Sequence, residues 1–160
     1  MDISYTNIDV RFLPSNRLSL KRWFKTLATQ WDYELGTIAF GFCSDDYILK
    51  ANKKYLDHDY YTDIITFDYS EGKLLNGDLL ISIDTVRSNS IKYNIPFSEE
   101  LHRVMIHGIL HLMGFNDTTD SEKVIMRQKE DESLNILAEI FRAEREGVPS
   151  NFLPWRAYST

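Results

Sequence analysis

Residues 105–117, MIHGILHLMGFND, set His107 and His111 four positions apart, then Gly114, then a carboxylate at Asp117. On a helix, side chains four apart stand one above the other at about 6 Å, so both imidazoles can be aimed at one point. A glycine in the left-handed conformation stops such a helix and turns the chain back, which returns Asp117 toward that point. Two imidazoles and one carboxylate suit Zn²⁺ or a similar divalent ion, one per chain. They leave a fourth position for water, the pattern of a catalytic site and not of a structural one. Two ordinary core histidines would account for the pair, but not for the glycine and the carboxylate at these offsets. A structural zinc site lacks its usual ligands, because Cys43 is the sole cysteine.

The elements around this stretch must hold it still. Pro96 closes what precedes it, Phe97-Ser98-Glu99-Glu100 opens the helix that carries the histidines, and Gly114 ends that helix. Thr119 and Glu122 have capping-box spacing, and a long charged amphipathic helix is expected from there to about Arg145. Upstream, residues 3–10 read as a strand and 16–30 as a helix with Ser15 as its N-cap. Residues 36–43 are β-rich, and Ser44-Asp45-Asp46 start a helix that runs to about Leu56, with carboxylates at its positive end. A strand over 62–69 is followed by a turn at Gly72. Asn76-Gly77 is expected to separate it from a strand over 78–83, and a helix over 84–93 follows. Residues 149–160 read as an irregular tail. The pattern predicts one α+β domain over residues 1–160, a mixed sheet of about four strands packed with about five helices.

Composition narrows the setting. With 160 residues, 43% of them apolar and 26% charged, the chain can bury a core without disulfides. The lone cysteine and an opening without the layout of a signal peptide point to the cytoplasm. The apolar run at 104–115 is broken by both histidines and is far shorter than the roughly 20 residues a membrane span needs. A net charge of −6 argues against a broad nonspecific nucleic-acid footprint. Arg11, Arg17, Lys21, Arg22 and Lys25 nevertheless fall in a segment without acidic residues, either a local basic patch or a solvated helix face.

Three blocks of sequence carry a family resemblance. HGILHLMGFND resembles the HGxLHLxGyDH signature of the YbeY family. Asn52, Tyr55, Asp57, Asp59 and TDIITF at 62–67 are similar to that family's NxxYRxxDxPTDVLSF block, and GDLLIS at 77–82 to its GDIxIS strand. The blocks occur in order across residues 52–117. The resemblance implies a metal-dependent endoribonuclease specific for single strands, acting in rRNA maturation and ribosome quality control. Its partners would then be single-stranded RNA, rRNA above all, and the ribosomal subunit or its assembly factors.

Two departures bear on the chemistry. Asp117 stands where the family has a third histidine, with Asn116, a weaker ligand, in place of the usual aspartate. A carboxylate still binds a divalent ion but partly neutralises it, which makes water in the site less acidic and favours harder metals. Leu56 stands where the family has its functionally important arginine, and a leucine holds no phosphate. At 100° per residue Arg103 lies within about 40° of His107, one turn earlier, so it is one expected catalytic cation and His58 another. Lys53 and Lys54 are rival sources of the charge, whereas His102 points to another face. The sequence leaves two other readings. A zinc protease shares the HxxxHxxGxxD layout but would need a glutamate at Gly108 as general base. A noncatalytic RNA-binding assembly factor that keeps the metal for stability would explain the loss at Leu56.

Overall fold

The computed structural model describes residues 1–57 and 62–147. His58 and the tail at 149–160 lie outside the described residues. Its elements are β1 (Asp2–Asn7), α1 (Arg17–Gln30), β2 (Glu34–Cys43), α2 (Asp45–Leu56), β3 (Ile64–Asp68), β4 (Leu74–Ser82), α3 (Ile83–Lys92), α4 (Phe97–Leu112) and α5 (Asp120–Arg145). The strands form one mixed sheet in the order β1-β2-β4-β3. β2 runs parallel to both β1 and β4, and β3 is antiparallel to β4. This is the expected α+β class, with four strands and five helices among the described residues.

Strand alternation divides the sheet into two faces. Ile38, Phe40 and Phe42 of β2 and Leu79 and Ile81 of β4 join one large core with Trp23 and Phe24 of α1, Met105 and Ile109 of α4, and Ile140 of α5. Cys43, Ile65 and Leu80 meet Ile48 and Ala51 of α2 in a smaller cluster. Two glycines let α4 settle onto the sheet. A Cβ at Gly77 would stand 2.9 Å from the Leu112 side chain, and one at Gly108 would stand 2.8 Å from Ile64 and 3.1 Å from Leu79. Neither position has room for even a methyl group without movement of its neighbours.

Several expected boundaries shift. Asn76 and Gly77 lie inside β4, and the hairpin turns at Gly72, whose φ of 58° is the left-handed one a glycine accepts. The Asn76 side chain instead accepts the Thr37 backbone N–H at 2.7 Å, where the β2–β4 register breaks between Leu35 and Ile38. Helix α1 starts at Arg17 after Asn16, which is left-handed and makes no side-chain cap bond, so Ser15 is not the N-cap. β1 stops at Asn7, and Asp9 turns away to bind the backbone N–H and hydroxyl of Ser44. Ser44 itself caps α2 through Tyr47 N–H, as its position before two aspartates suggested. Of the basic segment, Arg17, Lys21, Arg22 and Lys25 lie on α1, where Arg22 pairs with Glu144 of α5 at 2.6 Å and Arg17 donates to the Pro14 carbonyl at 3.1 Å, while Arg11 precedes the helix. No helix among the described residues is long and apolar enough to cross a membrane.

Candidate metal centre

Helix α4 ends in a geometry its sequence dictates. Gly114 has φ 95°, its N–H donates to the His111 carbonyl at 2.9 Å, and the Phe115 N–H reaches back to Leu110 at 3.1 Å. These are the two bonds of a Schellman motif, and they reverse the chain directly after the second histidine. The Tyr33 hydroxyl, just before β2, donates to the Met113 carbonyl at 2.6 Å and ties this end to the start of that strand. Four residues later Thr119 and Glu122 close the capping box of α5, with Thr119 N–H to Glu122 at 2.9 Å and Glu122 N–H to the Thr119 hydroxyl at 3.1 Å. The loop between is clamped at both ends, and Asp117 is carried on it.

The three side chains converge. His107 Nε2 and His111 Nε2 are 3.1 Å apart. Asp117 Oδ2 stands 3.2 Å from the first, and its Oδ1 3.5 Å from the second. Ligand atoms about 2.0–2.2 Å from a tetrahedral ion lie roughly 3.3–3.6 Å from one another, so this donor set fits such an ion with little movement. All three residues are half-buried, open enough for exchange with solvent. Asn116 is turned to the Glu122 carboxylate, which takes it away from a ligand's role.

Behind the histidines lies a layer of charge. His107 Nδ1 stands 2.7 Å from Glu130 Oε2, and Glu130 Oε1 accepts from Arg103 Nη1 at 3.0 Å. Arg103 Nη2 reaches Asp131 at 2.8 Å. Burial works against protonation of His107, but the Glu130 carboxylate, with Asp63 and Asp117, outweighs it and holds the ring above its usual pKa. His111 is pushed below its usual value by burial and by the neighbouring His107, against the pull of Asp117. Burial raises the Asp63 carboxyl as well, opposed by His107.

Arg103 therefore does lie beside the histidines, but with two carboxylates on its guanidinium. Gly108 faces Ile64 and Leu79 of the sheet and not the centre, so a protease's glutamate would have no place there. Leu56 is the last residue of α2 and is exposed, and Lys54 lies over the Tyr55 ring at 5.1 Å. His102 packs between Trp23 and Phe141, away from the centre as its angle indicated. Sequence reasoning overlooked Glu130, yet a signal was there. Met126, Glu130, Ser133, Leu137 and Ile140 follow the alternating four and three spacing of a buried helix stripe, and Glu130 is its one charged member.

A family model described as endoribonuclease YbeY matches residues 9–138. A Bacteroides fragilis protein named endoribonuclease YbeY is 48% identical over 134 residues, covering 84% of this chain and 96% of that protein. One of the same name from Parabacteroides distasonis is 47% identical over 139 residues, covering 87% and 98%. The fold is similar to the solution structure of TM1509 from Thermotoga maritima, with a TM-score of 0.60 and 24% identity over 95% of this chain and 97% of that one. With the match spanning both the histidine helix and the strands beneath it, the chain belongs to the YbeY endoribonuclease family.

Proposed function

We propose that the protein is a metal-dependent endoribonuclease that cuts single-stranded RNA, with rRNA as its substrate, the ribosomal subunit or its assembly factors as partners, and the cytoplasm as its place of action. The observation that carries this reading is the convergence of His107, His111 and Asp117 within one coordination distance, in a chain of this family. His107 and His111 would hold the ion through Nε2 and Asp117 through a carboxylate oxygen, with Zn²⁺ the ion the donor set suits best. When bound, such an ion offsets charge on a phosphoryl oxygen and lowers the pKa of water from about 15.7 toward neutrality. Asp117 adds one negative charge to the site, and the partial exposure of all three side chains leaves the fourth direction open to substrate.

The second cation of the reaction remains a proposal about Arg103 and His58. Arg103 has one N–H of each terminal nitrogen engaged with Glu130 and Asp131, so its field at a phosphate is partly offset. That favours a positioning role for Arg103 and leaves His58, with Lys53 and Lys54 as its rivals, as the group proposed to touch substrate. The same pairing, together with Leu56, is what supports the second reading, a noncatalytic RNA-binding factor. Incubation of zinc-loaded protein with single-stranded rRNA fragments, duplex RNA and casein separates them. Cleavage of the single strand alone is expected. Binding of rRNA without cleavage would favour the assembly factor, and casein proteolysis without RNA cleavage would overturn both.

A further inference from the structure

Glu130 sits where α5 should present an apolar side chain. It is 5% exposed and belongs to the stripe that α5 turns toward α4. A buried carboxylate is costly unless its charge and lone pairs are met. Here both oxygens are met from α4: Oε2 lies 2.7 Å from Nδ1 of His107, and Oε1 accepts from Arg103 at 3.0 Å. Arg103 is in turn fixed from its other side by Asp131 at 2.8 Å. The bonds run Asp131, Arg103, Glu130, His107, and the last of these residues faces His111 and Asp117 with its remaining ring nitrogen.

A neutral imidazole has a single N–H, and only its bare nitrogen can donate to a metal. Which nitrogen that is depends on the partner of the other. We infer that Glu130, steadied by Arg103, is the positioning residue of this centre, keeping the His107 proton on Nδ1 and leaving Nε2 bare and directed at the ion. The inference rests on the metal reading of His107, His111 and Asp117. It assigns Arg103 an indirect role, because a guanidinium that orients Glu130 need not touch phosphate. A merely structural Glu130, one that only staples α4 to α5, would have no effect on the His107 tautomer.

The test reads the tautomer directly, by nitrogen-15 NMR of His107 in the full-length protein stripped of metal, at a pH high enough to keep the ring neutral. Nδ1 should be protonated and Nε2 bare in the wild type. Glu130→Gln keeps the shape but has one acceptor oxygen, which the donor-only Arg103 takes, so its NH2 faces Nδ1 and the proton should move to Nε2 with a loss of zinc affinity. Glu130→Leu removes the acceptor. It should move the proton to Nε2 and weaken zinc binding by roughly 10- to 100-fold in competition with a chromophoric chelator. A wild-type His107 protonated on Nε2 overturns the inference, as does a folded Glu130→Leu or Glu130→Gln protein with an unchanged tautomer and unchanged zinc affinity. Should Glu130→Leu fail to fold, the wild-type spectrum and Glu130→Gln still decide. A wild type that takes up no zinc would defeat the metal reading, while the tautomer continues to judge Glu130 separately.

Discussion

At the scale of residues, the centre makes unequal demands on its members. His107→Ala combined with His111→Ala should abolish binding of one zinc per chain, measured by metal analysis after dialysis. Asp117→Ala should weaken binding without erasing it, because two imidazoles on one helix still chelate. Asp117→His should restore or tighten it, since a third imidazole is a good zinc donor. Arg103 separates two roles by where its loss registers. If it orients Glu130, Arg103→Ala lowers zinc affinity as well as cleavage. If it holds phosphate, the cleavage rate falls about 10²- to 10³-fold at unchanged metal content. Parallel zinc titration and single-turnover kinetics distinguish these, and the carboxylates on its guanidinium favour the first. Leu56 is 43% exposed at the end of α2, so Leu56→Arg meets no steric barrier and should raise cleavage if the family's cation is what the site lacks.

Among the elements, α4 is both the ligand platform and a core helix, and the two duties meet at Gly108. Its neighbour His107 faces the metal centre, while position 108 is pressed on Ile64 and Leu79. Gly108→Ala should destabilise the fold by about 1–3 kcal/mol in urea unfolding, through overpacking against the sheet and not through the metal. The site was legible in sequence wherever the chemistry is local. The four-residue spacing, the Schellman glycine and the capping box each follow from residues that touch their own neighbours, and all three appear in the structure. Long-range partners were not legible. Asn76 serves the register break opposite Thr37, a role that exists only once β2 and β4 are paired, and its Asn-Gly dipeptide otherwise has the look of a hairpin turn. Glu130 lies 23 residues from His107, and nothing short of α5 packing on α4 connects them. The left-handed Asn16 likewise has no local mark to separate it from an N-cap at Ser15.

Over the whole molecule, the α+β class followed from the alternation of patterns, whereas the β1-β2-β4-β3 order did not, since parallel neighbours are brought together by helices and not by turns. The large core also sets a pH dependence distinct from that of the metal centre. His102, packed between Trp23 and Phe141, has its pKa lowered to about 4 by burial. Above about pH 6.5 the ring is neutral in both folded and unfolded chains and has no effect. As pH falls from there to about 4, the unfolded chain takes a proton that the folded one refuses, so stability declines by about 3 kcal/mol and then levels off. Denaturant unfolding of wild type and His102→Phe across this range should show that part of the slope only in the wild type. Catalysis by one metal ion in this centre is tested by adding zinc stepwise to stripped protein and following cleavage of a single-stranded rRNA fragment. Cleavage should be absent at first, rise with each addition, level off at about one equivalent per chain, and stay flat throughout in the His107→Ala, His111→Ala protein. Full cleavage by the stripped protein, or equal cleavage by that double variant, would contradict it.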